Sequence, residues 1–196
     1  MSLSKGGNEM MVRIAAFLGV SAFYLIYLGK ALMLKRQGIT VNLLGEKANS
    51  SEKYFEIVLR IMTGIGGVIQ FLAPFLFEVN GTGGRCFGLG LIFLSVMVFF
   101  IAVRAMGLNW RAGFNDAQRT ELVTTGIYRF SRNPAFVAFD LLYLGLAIVF
   151  PNILMILTAL LAIILFDQQI RGEEKYLVTT FGEGYRRYRL KVRRYF

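Results

Sequence analysis

Arg132, Asn133 and Pro134 stand together where the chain turns from a polar stretch into an apolar run, and Asp140 follows inside that run. A proline there suits the first turn of a helix, because its missing N–H has no intrahelical partner to lose. The guanidinium and amide before it then sit at a membrane edge, aimed at whatever binds there. Arg132, Phe136 and Asp140 recur every four residues and so share one helical face. An acid at membrane depth is costly and by default a functional residue; the structural alternative is a pair with Arg132 or Arg60. A second group lies further on. Glu173 and Glu174 are adjacent, about 100° apart on a helix, so one can face a site while the other faces water. Asp167, Arg171 and Glu174 fall on one face, where an Asp–Arg pair would hold the helix end. The chain has no histidine and a single cysteine, Cys86. The commonest general base and metal ligand are therefore missing, no intrachain disulfide can form, and no metal cluster is suggested. Chemistry here must run on positioning and electrostatics.

The elements that position these groups are apolar blocks. Of 196 residues, 56% are hydrophobic and 17% charged, with mean hydropathy +0.55, too apolar for a soluble domain of this size. The blocks read as membrane spans at 12–34, 54–77 and 86–106, with shorter runs at 135–150 and 153–170. Pro151-Asn152 joins the last two as an antiparallel hairpin. The polar opening has no small-residue cleavage site, so the first run is expected to remain a span. Thr63-Gly64-Ile65-Gly66-Gly67 would let another helix approach closely, and Pro74 would kink its span. Gly88-Leu89-Gly90 has no preceding strand and is no dinucleotide-binding turn. Trp110 suits an interfacial belt. The end of the chain predicts a surface helix from Glu173, a break at 182–184 and a basic amphipathic helix. The expected fold is all-α: a polytopic membrane protein of about five transmembrane helices, with a C-terminal helical hairpin and a cytosolic helical tail.

The net charge of +10 reads as orientation rather than nucleic-acid binding. Lys35, Arg36, Lys47 and Lys53 follow the first span; Arg111, Arg119, Arg129 and Arg132 follow the third; the tail carries Arg171, Lys175, Arg186, Arg187, Arg189, Lys191, Arg193 and Arg194. An odd number of spans puts all three groups on one side, the cytosol by the positive-inside rule.

Several short pieces then occur in order. Met106-Gly107-Leu108-Asn109-Trp110 is similar to Leu-Gly-x-Asn-Trp, and residues 122–128 to Leu-Val-x-x-Gly-Ile-Tyr. Arg132-Asn133-Pro134-Ala135-Phe136 is similar to Arg-His/Asn-Pro-x-Tyr. The Pro-Asn hairpin, Glu173-Glu174 and Phe181-Gly182-x-x-Tyr185-x-x-Tyr188 follow. Together, over the C-terminal half, they resemble the isoprenylcysteine carboxyl methyltransferase and phospholipid methyltransferase group of integral-membrane enzymes. Asn133 stands where carboxyl methyltransferases often have His, and Phe136 where they have Tyr.

The resemblance implies S-adenosylmethionine as methyl donor and a lipid-like or small-molecule methyl acceptor arriving from the surrounding membrane lipids. It implies N-terminal helices over 1–106 and a cofactor-binding region over 107–196. Leu122, Val123, Gly126, Ile127 and Tyr128 would hold the adenine. Arg132 or Asn133 would take the cofactor's carboxylate and Glu173 or Glu174 its ammonium, with Tyr185 in a tail that closes on Gly182 and Gly184. Arg132 and Glu174 are the candidate catalytic pair, and Asp140 and Phe136 the candidate acceptor contacts. A carboxylate acceptor is ionised at neutral pH and needs no base, and Arg132 could orient it through a bidentate contact. An amine acceptor would instead favour an acid such as Asp140. Two other classes stay open: a nicotinamide-dependent membrane reductase of the sterol type, and a non-catalytic adaptor whose basic tail holds anionic lipid.

Overall fold

The computed structural model describes residues 2–39, 50–110 and 121–196. Lys47, Arg111, Asp116 and Arg119 lie outside them. The order is α1 (Ser2–Arg36), α2 (Ser50–Leu76), α3 (Thr82–Met106), α4 (Pro134–Val149), α5 (Ile153–Phe181) and α6 (Glu183–Lys191), with 3₁₀ turns at Gly107–Asn109 and Gly126–Arg129. Four helices (α1, α2, α3 and α5) are long and apolar enough to cross a membrane. The expected fifth span is α4, whose 16 residues reach about 24 Å against a bilayer core of about 30 Å. The fold is that of a polytopic all-helical membrane protein.

One expectation changes. α5 was expected to stop near residue 170, with a separate helix from Glu173. It runs unbroken for 29 residues, about 44 Å, so its last turns project beyond the apolar core. Gly172 stays helical, and the stop comes at Gly182, whose φ of +51° no other residue type adopts cheaply.

Helix ends are satisfied by connecting segments and by a neighbouring helix. Asn80 donates from Nδ2 to the Ile148 carbonyl (2.9 Å) and from its backbone to the Val149 carbonyl (2.8 Å), capping α4. Arg13 of α1 donates to the Pro74 carbonyl near the end of α2. Asn152 accepts from the Leu154 N–H at the start of α5 (2.9 Å).

α3 and α4 cross where Gly88 meets Gly145. A Cβ on Gly145 would sit 2.9 Å from the Gly88 carbonyl oxygen and 3.1 Å from the Ile92 nitrogen. Gly88 is thus a packing residue. Gly145→Val is expected to destabilise the fold by about 1–3 kcal/mol through forced separation of the helices, read as a lower unfolding temperature in detergent. In α2 the glycines admit side chains rather than a helix: Gly66 receives the Tyr143 hydroxyl and Gly67 that of Tyr24.

The core between α1, α3 and α4 is aromatic. Phe23 stacks on Phe99 (4.2 Å between centroids) and meets Phe139 edge-on (4.8 Å). Trp110 is 5% exposed and packs edge-on against Tyr27 and Phe99. It is an inner wall, not the interfacial anchor its position suggested, because the turn at Gly107–Asn109 folds it back over the helix ends.

Candidate functional site

Two cavities meet at this wall. The first, of about 300 Å³, lies between α1, α2, α4 and α5. Its walls are mostly apolar, among them Leu59, Phe99, Phe139 and Phe166, and its polar groups include Arg60, Thr63, Gln169, Glu173 and tyrosine hydroxyls. The second encloses about 90 Å³. Among the described residues it adjoins a broad cleft of about 1000 Å³ whose lining includes residues 121–125, Tyr176 and Thr180. Trp110, Ala135, Phe136 and Glu173 line both cavities.

Of the residues singled out in the sequence, Leu122, Val123, Tyr128, Arg132, Asn133, Phe136, Glu173 and Tyr185 line the second cavity. Gly126 and Ile127 do not. Gly126 has φ +62° beside Ala105 and shapes the 3₁₀ turn that presents Tyr128. Glu173 faces the junction, where it accepts from Gln169 Nε2 (3.0 Å).

Glu174 points elsewhere, and not into water. It is 5% exposed and held between two guanidinium groups. Arg132 reaches its Oε1 from Nη2 (2.7 Å) and Nε (3.1 Å); Arg194 reaches Oε2 from Nη2 (2.7 Å) and Oε1 from Nε (3.3 Å). Arg132 also donates from Nη1 to the carbonyls of Val192 (2.6 Å) and Arg189 (3.2 Å). Four of its five N–H donors are thus engaged, so the expected bidentate grip on an acceptor carboxylate is not open to it. Its backbone donates to the Arg193 carbonyl (2.9 Å) in a one-residue parallel bridge between Ser131 and Arg193. The Arg194 carbonyl accepts from Ser131 Oγ and Asn133 Nδ2, both at 3.2 Å. The end of the chain is thereby sewn onto the turn that starts α4.

Asp140 lines neither cavity. Its Oδ1 is buried and makes no hydrogen bond, and among the described residues it has no ion-pair partner. The alternative of a pair with Arg132 is not realised, because Arg132 turns toward Glu174 and the tail. Asp167 does pair with Arg171 (2.6 Å), and it also accepts from the Tyr195 hydroxyl (2.8 Å).

α6 closes the second cavity with Tyr185 and Tyr188. The Tyr188 hydroxyl donates to the Tyr128 carbonyl (2.6 Å). Burial, then the charge of Glu174, pushes the Tyr185 phenol up to about 12; burial likewise raises Tyr128 and Tyr188. All three are neutral phenols at physiological pH. Sequence reasoning missed Glu121, the double role of Trp110, and Arg194. The first two adjoin noticed motifs, and Asn109 accepts from the Glu121 N–H (2.9 Å), tying those motifs together. Arg194 carries no signal beyond being one basic residue among many.

Fold and cavities define a helical membrane protein with an apolar chamber abutting an aromatic-walled site that carries charged groups. The phospholipid methyltransferase family model matches residues 84–184, which contain most of the second cavity's lining, and the chain belongs to that family. A protein-S-isoprenylcysteine O-methyltransferase of Schizosaccharomyces pombe is 42% identical over 128 residues, covering 63% of this chain and 52% of that protein. The chain spans about half the length of this curated relative.

Proposed function

We propose that the protein is an S-adenosylmethionine-dependent methyltransferase acting on a lipid-like acceptor, with carboxyl O-methylation of an isoprenylated cysteine as the preferred reaction. The observation that carries this reading is the shared wall: among the described residues, Trp110, Ala135, Phe136 and Glu173 line both the site that holds the charged groups and the apolar chamber. Transfer between a water-soluble donor and a membrane-borne acceptor needs that arrangement. Family membership and the relative's name support the same class.

The residues present fit the donor. Glu173 and Glu121 supply negative charge, and Trp110, Tyr128, Phe136 and Tyr185 supply ring faces suited to a cation. The enclosed part suits the reacting end, and the adjoining cleft along 122–125 offers backbone groups to a nucleoside. When bound, S-adenosylmethionine supplies a methyl group already activated on a sulfonium. The protein's task is then alignment and exclusion of water. Glu173 holds the ammonium end, with Gln169 fixing its carboxylate. Phe136 and Trp110 keep water from the junction. A carboxylate acceptor arrives ionised and asks for no base, which fits a chain without histidine. Tyr128 and Tyr185 would serve as neutral donors, the Tyr188 hydroxyl being committed to the Tyr128 carbonyl. The site is assigned to the cytosolic side, where Arg129, Arg171, Lys175 and the basic residues of α6 gather.

Calorimetric titration of the detergent-purified protein with S-adenosylhomocysteine, beside NADPH, tests the reading. Binding of the first and not the second is expected; the reverse would favour a reductase. The chamber is tested separately. Gly64 lines it, and a Cβ there meets nothing within 4 Å. Gly64→Phe is expected to raise KM for a prenylated acceptor about tenfold, a loss of roughly 1.4 kcal/mol of apolar contact, with S-adenosylhomocysteine affinity unchanged.

A further inference from the structure

We infer that Arg194 is a positioning residue of the methyl-donor site, one that acts through Glu174 and Arg132 by setting the charge of the cavity wall. The inference rests on the donor reading above and adds to it a residue that never touches the donor.

Glu174 is one carboxylate between two guanidinium groups, and the side chains of Glu174 and Arg132 are only 6% and 9% exposed. The cluster therefore carries a net charge of plus one against the second cavity, where Arg132 is part of the lining. Arg194 arrives from outside that lining. It spans two acids of α5 on one face two turns apart, Glu174 at 2.7 Å and Asp167 at 3.9 Å. Glu174 holds the Arg194 guanidinium in its charged form more firmly. Without Arg194, Glu174 and Arg132 cancel, which leaves Glu121 and Glu173 as the charges of that wall, and these repel an anion.

The donor's amino-acid end carries both an ammonium and a carboxylate. Glu173 faces the first. The second needs positive charge nearby, and the fork of Arg132 is committed to Glu174 and to the carbonyls of Arg189 and Val192. Arg132 thus serves the carboxylate chiefly by its field, and that field persists only because Arg194 offsets Glu174. The burial of Glu174 and Arg132, with Arg194 partly exposed, makes the field less screened than at an exposed surface.

The test compares S-adenosylhomocysteine with 5′-methylthioadenosine, the same nucleoside thioether without the amino-acid end, by calorimetry on the full detergent-purified chain. Arg194→Gln is expected to weaken S-adenosylhomocysteine about tenfold, the effect of one partly screened charge, and to leave 5′-methylthioadenosine unchanged. Arg194→Lys keeps the charge and holds most of the affinity. The double variant Glu174→Gln/Arg194→Gln returns the cluster to plus one and is expected to regain affinity for S-adenosylhomocysteine. Equal weakening of both ligands, or no regain in the double variant, would assign Arg194 a purely structural role and overturn the inference. Unchanged affinity in Arg194→Gln would overturn it as well. A parent protein that binds S-adenosylhomocysteine no better than buffer would sink the donor reading itself, an outcome distinct from the other three.

Discussion

Glu174→Ala is expected to be the most destabilising single substitution in the chain. It leaves two guanidinium groups facing each other where one carboxylate now makes four contacts, at 2.7–3.3 Å. Removing one partner from a buried ionic cluster costs about 3–5 kcal/mol, because the remaining charges stay desolvated and unopposed. The cost reaches beyond the cluster. Arg132 donates to the carbonyls of Arg189 and Val192, and Asn133 and Ser131 to that of Arg194. Loosening Arg132 therefore frees the tail, and α6 with it. Thermal unfolding in detergent, followed by far-UV circular dichroism, checks this. The matching control replaces the whole cluster with apolar residues (Arg132→Met/Glu174→Leu/Arg194→Met). That swap removes the desolvated charges together and is expected to be less destabilising than Glu174→Ala although it gives up the Arg132 bonds to the tail, and it is expected to abolish donor binding. A Glu174→Ala protein as stable as the parent would show that the cluster does not hold the tail.

Glu173→Gln is expected to do the opposite. The side chain keeps its shape, and the neighbouring helix turn is unaffected, so stability stays within about 0.5 kcal/mol of the parent. Affinity for S-adenosylhomocysteine is expected to fall about a hundredfold, the scale for losing one charge of a buried hydrogen-bonded pair. Two adjacent glutamates thus separate in two measurements: one in unfolding, the other in donor affinity. If Glu173→Gln bound normally, the ammonium contact would pass to Glu121, the other acid that lines the cavity among the described residues.

That division of labour was only half legible in the sequence. Adjacent helical positions point about 100° apart, which says that Glu173 and Glu174 differ but not which one faces the site. The answer depends on where Arg132 and Arg194 come to rest. Arg194 is sixty-two residues beyond Arg132 and is tied to that turn by backbone contacts that no local pattern encodes. Asp140 misled for the same reason. Its four-residue spacing from Arg132 was real, but Arg132 turns away from it. The spans were plainer, because unbroken apolar runs admit few readings. So was the stop at Gly182, since a left-handed glycine ends a helix whatever surrounds it. The continuity of α5 through Glu173 was hidden, because a charged stretch after a span looks like a new surface element until its backbone is seen to carry on. Trp110 was placed at the lipid boundary by its residue type, whereas ring contacts with Tyr27 and Phe99 draw it inward.

The proposed reaction requires a methyl group to cross from the donor site to the apolar chamber where the two meet, at Phe136 and Glu173. The most direct measurement is transfer of labelled methyl from S-adenosylmethionine to a farnesylated cysteine with a free carboxylate, using the purified protein in lipid nanodiscs. Incorporation is expected, depressed by Gly64→Phe and by Glu173→Gln, with a label released as methanol by mild base, as a methyl ester requires. No incorporation, or a label that resists base, would contradict carboxyl O-methylation at this junction.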